Sequence, residues 1–244
     1  MGAAPESARR VQLWWASCSG AEAFAARLEA LLDERERLRL ERIRVPAGRR
    51  QFLTAHALTR LILAHATDTR PSTLRLQYGP RGKPTLAHGG SSCAPRFNLA
   101  HSGDTVALAV ASAEVGVDVE AVRPLPGRDR LLRRFCSDPE QRWVRSRPEE
   151  EQDRSFLALW TCKEAYLKAV GAGIAMALRD VEIHGPEGRL LRIAGDEAPA
   201  AEWTLLSTVL PEPALATVAI RGRGWVLEVR QFDWEADAPP LLDD

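Results

Sequence analysis

Seven residues near the middle of the chain, Val115-Gly-Val-Asp-Val-Glu-Ala121, admit few conformations. Valines at every second position favour an extended strand. Side chains alternate across a strand, so Val115, Val117 and Val119 share one face while Gly116, Asp118 and Glu120 share the other. Two carboxylates two residues apart make an electronegative patch, and Gly116 leaves room for something to approach. The plain reading is a half-exposed strand with a solvated acidic face. The chemical reading is a hard-cation site, because Mg²⁺ takes few carboxylates and keeps room for waters and phosphate oxygens.

The surrounding pattern mixes helices and strands without regular βαβ alternation, which predicts an α+β fold with mainly antiparallel sheets. Residues 21–45 read as helical, and the alternating charges of 33–42 suit a solvated helix face. Pro46 breaks that run and opens a helix in which Leu53, Ala57, Leu61 and Ala64 form a buried stripe, with Arg49 and Arg50 in the first turn. A short strand is expected at 74–78, a turn at 79–84, a small-residue loop at 88–95, a turn at 101–104 and a strand at 105–111. Helices follow over about 128–147 and 152–170, then strands near 181–183, 190–193, 203–206, 216–220 and 225–231. The acidic tail from Trp234 is expected to fray.

Composition excludes several classes. The chain has 244 residues with 33 Lys plus Arg against 33 Asp plus Glu, so no net field argues for nucleic acid. The four cysteines, Cys18, Cys93, Cys136 and Cys162, form no CxxC pair and no disulfide framework. The N-terminus lacks the apolar run of a signal peptide, and no stretch approaches the ~20 apolar residues needed to span a bilayer. A cytoplasmic, non-membrane protein is the expectation.

Within the 33 basic residues only Lys83, Lys163 and Lys168 are lysines, and two of them flank a glutamate in Trp160-Thr-Cys-Lys-Glu-Ala-Tyr-Leu-Lys168. Some positions need a compact ammonium on a flexible stem rather than a planar fork, although three such residues can also cluster by chance. On a helix Trp160, Glu164 and Lys168 share a face at i, i+4 and i+8, while Lys163 points elsewhere and pairs locally. A surface Glu–Lys pair explains that spacing as readily as a site does. Gly171-Ala-Gly173 fits a helix C-cap. Gly82-Lys83-Pro84 puts the third lysine in a turn, and His101-Ser102-Gly103 puts a histidine at a strand entry. The Gly-x₄-Gly-Lys-Ser/Thr spacing of a P-loop is missing. Three carboxylates, bases and a histidine together suit Mg²⁺-assisted phosphate chemistry.

In this order Phe97-Asn-Leu-Ala-His-Ser-Gly103, Gly116-Val-Asp-Val-Glu120 and the Trp160–Lys168 stretch, with Gly82-Lys83-Pro84 ahead of them, resemble the 4′-phosphopantetheinyl transferases of the surfactin-synthetase (Sfp) type. The likeness runs from about Leu32 to Gly173. It implies transfer of phosphopantetheine from coenzyme A to a serine of apo acyl or peptidyl carrier proteins, with release of 3′,5′-ADP. It also implies two similar α+β halves, 1–114 and 115–244, about a pseudo-two-fold axis, with the site between them. Such an enzyme would be a monomer serving nonribosomal peptide, polyketide and fatty-acid carriers.

Carried over by residue, Asp118, Glu120 and Glu164 resemble the carboxylates for Mg²⁺, with Mn²⁺ as the alternative. Glu164 is also similar to the general base, and Lys168 to the cation on the pyrophosphate. His101 with Ser102, and an arginine of the second helix, resemble ligands of the nucleotide and its 3′-phosphate. Gly82, Lys83 and Pro84 resemble part of the adenine and phosphate pocket. Two positions depart from the pattern: Ala100 stands where a serine is common, and Gln51 where the helix arginine falls, so Arg50 is the substitute. Arg35 or Arg37 would add basic contacts. The rival reading is a non-catalytic binder of CoA or a nucleotide with the same fold.

Overall fold

The computed structural model describes residues 9–87, 94–172, 178–184, 189–193, 200–211, 213–238 and 242. In chain order they form β1 (Arg9–Ser17), α1 (Ala25–Leu31), α2 (Glu34–Arg42), α3 (Pro46–Thr67), β2 (Leu76–Tyr78), β3 (Pro84–Leu86), β4 (Arg96–Ser102), β5 (Thr105–Ala111) and β6 (Val115–Ala121). Then come α4 (Arg128–Phe135), α5 (Asp138–Arg145), α6 (Glu149–Val170), β7 (Val181–His184), β8 (Arg189–Ile193), β9 (Trp203–Leu210), β10 (Ala214–Arg221) and β11 (Trp225–Gln231). Cys93, Gly173 and most of the expected 88–95 loop lie outside the described residues.

Two sheets pack face to face, with order β11-β1-β5-β4 in the first and β6-β10-β9 in the second. Val11, Leu13, Trp15, Ala107 and Ala109 meet Val117, Val119, Ala216 and Val218 between them. On its outer face the first sheet carries α3, through Val106 and Leu108 against Leu58 and Leu61. The second sheet carries α6, which lies over β6 at Gly116. The result is an α+β molecule of antiparallel sheets with one parallel exception, β1 with β11.

That exception crosses the expected 114/115 boundary. β11 comes from the second half of the chain and completes the first sheet, supplying a ladder to an edge of β1 that would otherwise be open. The described part of the tail after it, through Ala238, is docked rather than frayed. Trp234 is 3% exposed, its indole N–H donates to the Ser17 carbonyl (2.9 Å), and its ring meets Phe232 edge-on. Burial of two aromatic rings outweighs the acidic composition of that segment.

Elsewhere the chain is more finely divided than its periodicity suggests. The 21–45 helix breaks before Asp33, whose carboxylate caps α2 in a capping box with Glu36. Glu36 is not solvated: it is 1% exposed, accepts from Arg60 Nε (2.7 Å) and hydrogen-bonds His56 Nδ1 (2.8 Å). Burial pushes its pKa up, but the hydrogen bond and charge of His56 and the charge of Arg60 hold it below the usual carboxylate range. The 128–147 helix is two, α4 and α5, separated by the Ser137 capping box. His101 and Ser102 belong to β4, and the turn is confined to Gly103 and Asp104, with Gly103 in the left-handed region at φ +59°.

Lys163 pairs at long range, not locally. Its ammonium is buried and bonds Glu140 Oε2 (2.6 Å) and the carbonyls of Phe135 (3.0 Å) and Leu178 (3.1 Å). Glu140 in turn accepts from the Ile183 N–H, so one ion pair ties α6 to α5 and β7. Gly171 caps α6 at φ +62°.

β6 is an edge strand, and side chains of the first half satisfy its outward backbone. Asn98 Oδ1 accepts from the Val117 N–H (2.9 Å), Ser102 Oγ accepts from the Ala121 N–H (3.2 Å), and Lys83 Nζ donates to the Val115 carbonyl (3.0 Å). Each buried backbone group left unpaired would cost about 1–3 kcal/mol. Among the described residues no helix is long and apolar enough to cross a membrane.

Two stability outcomes are expected. A Cβ at position 116 would lie 2.2 Å from the Ala165 carbonyl oxygen and 2.3 Å from the Ala169 nitrogen, so Gly116→Ala forces α6 off β6. Overpacking of this kind costs about 1–3 kcal/mol or more, read as a lower denaturant midpoint. Lys163→Met leaves Glu140 buried without its cation, a loss of about 3–5 kcal/mol in the same measurement. An unchanged midpoint in either variant would contradict the packing described.

Candidate active site

On β6 the valine face is sealed between the sheets, with Val115 and Val117 at 0% and Val119 at 1% exposure. Each buried valine contributes about 1.5–3 kcal/mol, enough together to offset the several kcal/mol of taking a carboxylate from water. Gly116, Asp118 and Glu120 accordingly face α6. What Gly116 admits is that helix itself, and the expected solvated acidic face is absent: Asp118 is 6% exposed.

Lys168 Nζ donates to Asp118 Oδ1 at 2.6 Å. The second oxygen, Oδ2, is buried with no hydrogen-bond partner among the described residues. Burial pushes the Asp118 pKa up to about 7; Lys168 opposes this, while Glu120 and Glu164 add to it. Burial likewise raises Glu164, again opposed by Lys168. Glu120 accepts from Ser102 Oγ (2.8 Å) and from Arg123 (2.8 Å). Among the described residues no three His, Cys, Asp or Glu side chains, the expected Asp118, Glu120 and Glu164 included, are grouped so that they could hold a metal ion.

In front of these carboxylates lies a cavity of about 730 Å³, where the two halves of the chain meet. From the first half it is lined by Arg39 of α2, by Phe52, Ala55 and His56 of α3, by Tyr78 and Arg81–Pro84 around the β2–β3 turn, and by Asn98, Leu99 and His101 of β4. From the second half come Arg134 and Phe135 of α4, Glu164, Leu167 and Lys168 of α6, then Gly171 and Leu178. Trp160 shares the face of Glu164 and Lys168 as expected and packs edge-on against Phe135 at 5.1 Å.

Most sequence-derived site residues converge here: Gly82, Lys83, Pro84, His101, Glu164 and Lys168 line the cavity, with Asp118 behind Lys168. Glu120 and Ser102 bond each other and do not line it. Burial and the charge of Lys168 lower the His101 pKa, so the ring is neutral at pH 7 before any anion arrives. Lys83 contributes its stem, while its ammonium is committed to the Val115 and Ala169 carbonyls (3.0 and 2.7 Å). Burial pushes its pKa down, against the pull of Glu114.

Arg50 is not brought to the cavity. The cavity-facing positions of α3 are 52, 55 and 56, and Arg50 projects away to pair with Glu22 at 3.3 Å. Gln51 donates to the Gly103 carbonyl instead (2.7 Å). Arg35 stacks over Tyr78 at 4.0 Å outside the cavity, and Arg37 does not line it. The arginine that α2 delivers is Arg39, over the Phe52 ring at 5.4 Å, and Phe52 stacks on His56 at 4.0 Å. The Asp33/Glu36 capping box is the signal that places it, since it restarts the helical phase at Glu34. Arg81, Arg134 and His56 carry no comparable local signal.

Known proteins match this chain along most of its length. Residues 15–113 match the family model described as 4′-phosphopantetheinyl transferase, N-terminal, and residues 114–219 match that of the 4′-phosphopantetheinyl transferase superfamily. The chain is 35% identical over 216 residues to 4′-phosphopantetheinyl transferase HetI of Nostoc sp., covering 88% of this chain and 89% of that protein. It is 34% identical over 201 residues to the putative 4′-phosphopantetheinyl transferase slr0495 of Synechocystis sp., covering 81% and 78%. It is 31% identical over 179 residues to 4′-phosphopantetheinyl transferase psf-1 of Bacillus pumilus, covering 72% and 75%. With both family models matched in order and relatives covered along three quarters or more of their length, the chain belongs to the 4′-phosphopantetheinyl transferase superfamily and is a transferase of that type.

Proposed function

We propose that the cavity binds coenzyme A and that the chain transfers its 4′-phosphopantetheine group, with Mg²⁺, to a serine of apo acyl and peptidyl carrier proteins, releasing 3′,5′-ADP. The observation that carries this reading is the charge of the cavity. Arg39, Arg81, Arg134 and Lys168 line it together with one carboxylate, Glu164. Such a lining suits a ligand with several phosphates. Phe135, Leu167 and Leu178 give the same cavity an apolar wall for the pantetheine arm.

A divalent cation fits the residues behind that cavity. Asp118 Oδ2 is a buried acceptor without a donor, and Glu120 and Glu164 lie near enough for their charges to raise the Asp118 pKa. Mg²⁺ binds through one or two carboxylates plus waters and substrate phosphates, so it does not require the group of three ligands that the described residues lack. Asp118, Glu120 and Glu164 would hold it, and bound Mg²⁺ would neutralise charge on the phosphates.

The chain's own groups divide the remaining work. Glu164, with its proton affinity raised by burial, takes the proton of the carrier serine. Lys168 exchanges its bond to Asp118 for the pyrophosphate, where a flexible point charge can follow the departing ADP. His101 and Arg39 hold the 3′-phosphate, whose charge draws a proton onto the imidazole. The resemblance of the motifs supports carriers of nonribosomal peptide and polyketide synthases, with fatty-acid carriers alongside, and a monomer acting in the cytoplasm.

Incubation with CoA, Mg²⁺ and several apo carriers, followed by weighing the carriers, tests the reading: a phosphopantetheine adduct supports it, and no adduct on any carrier leaves only a binder. Asp118→Ala is expected to abolish transfer with the fold retained, and full activity at low Mg²⁺ would remove the metal assignment. For Glu164→Gln turnover falls roughly 10²–10⁴-fold, and complete rescue by excess Mg²⁺ would reduce Glu164 to a ligand. His101→Ala should lower kcat/KM for CoA about tenfold to hundredfold while barely affecting dephospho-CoA. Equal losses on both donors would refute the phosphate contact.

A further inference from the structure

Asn98 and Ser102, the β4 partners of the β6 backbone, are placed specifically relative to the carboxylates. The Val117 N–H taken by Asn98 immediately precedes Asp118, and the Ala121 N–H taken by Ser102 immediately follows Glu120. The two bonds bracket the acidic pair. Asn98 and Ser102 stand four positions apart on β4, and Val117 and Ala121 stand four positions apart on β6. Two strands from different sheets are thus locked in one register without a backbone ladder between them.

Register matters here because strand faces alternate. A slip of one residue would turn the valines toward α6 and both carboxylates into the layer between the sheets. A slip of two would keep the faces but carry the acids about 6.6 Å past Lys168 and Glu164, at roughly 3.3 Å per residue. β10 on the other side of β6 holds the register by its ladder, Asp118 opposite Thr217, but it is tied to neither His101 nor the cavity. Asn98 and Ser102 flank His101 on its own strand.

Ser102 is also spent. Its hydroxyl donates to Glu120 Oε2 at 2.8 Å and accepts from Ala121 at 3.2 Å, so its proton is already used. We infer that Ser102 and Asn98 are positioning residues: together they set the strand bearing Asp118 and Glu120 against the strand bearing His101, and Ser102, which does not line the cavity, orients the Glu120 carboxylate for the cation rather than binding the nucleotide. The inference rests on the metal reading proposed for Asp118 and Glu120. Outer partners that orient a ligating carboxylate typically contribute 10–100-fold to metal affinity.

The test separates metal binding from nucleotide binding. CoA affinity is measured by calorimetry without metal, and Mn²⁺ binding to the CoA complex through the loss of the free ion's paramagnetic signal. Ser102→Ala is expected to weaken Mn²⁺ about 10–100-fold while CoA affinity changes less than about twofold, and Ser102→Thr, which keeps the hydroxyl, restores Mn²⁺ binding. Asn98→Leu, which keeps the volume and removes the acceptor, should shift Mn²⁺ binding in the same direction. Because Asn98 is buried and that variant can fail to fold, the decision rests on the Ser102 pair. Loss of CoA affinity with Mn²⁺ binding unchanged would make Ser102 a nucleotide ligand and overturn the inference. No change in either quantity would overturn it too, leaving the hydroxyl a purely structural group. A natural protein that binds CoA but no Mn²⁺ removes the metal reading and this inference together, whereas one that binds no CoA refutes the proposed substrate in its own arm.

Discussion

Contact between α6 and β6 at Gly116 is the constraint on which the site depends. With no side chain there, the backbone at Ala165 and Ala169 approaches so closely that even a methyl group would overlap it. Only at that separation can Lys168 reach Asp118 at 2.6 Å, and only then do Glu164 and Lys168 share a cavity wall in front of the β6 carboxylates. The other face of β6, sealed by three valines, keeps the strand from rolling. Burial of the carboxylate is therefore a consequence of packing that apolar residues stabilise.

The three lysines occupy three mechanical roles around this contact. Lys163 closes the base of α6 through Glu140 and two carbonyls, Lys83 joins the β2–β3 turn to β6 and to the end of α6, and Lys168 faces the cavity. In the first two, one ammonium meets acceptors converging from separate elements. A compact group with three rotatable donors fits that geometry, whereas a planar fork matches paired acceptors in one plane. Arginine takes that second task at Arg60, which spans Asp33, Glu36 and the carbonyls of Pro71 and Leu74.

Much of this arrangement is legible in the amino-acid sequence. The strand at 115–121 and the long helices opened by Pro46 and running to Gly171 follow from spacing that acts over one or two turns or strand repeats, whereas the meeting of Glu164, Lys168, His101 and the Gly82–Pro84 turn is implied by the motif resemblance. Arg50 fails for a reason of the same local kind: one residue on a helix is a rotation of about 100°, so substituting it for a neighbour points it at Glu22.

By itself the sequence determined which faces were apolar, which residues were acidic or basic on each element, and which motif family they compose. Tertiary structure alone decided where His56 stands, that β11 crosses to β1, that Trp234 docks, and that Ser102 serves Glu120. Those outcomes depend on partners 18 to 217 residues apart in the chain, such as Ser102 with Glu120 and Ser17 with Trp234. Periodicity reports which side of an element will be buried, because that depends on neighbours one turn away. What the buried side meets depends on closing long loops, and no local pattern encodes it.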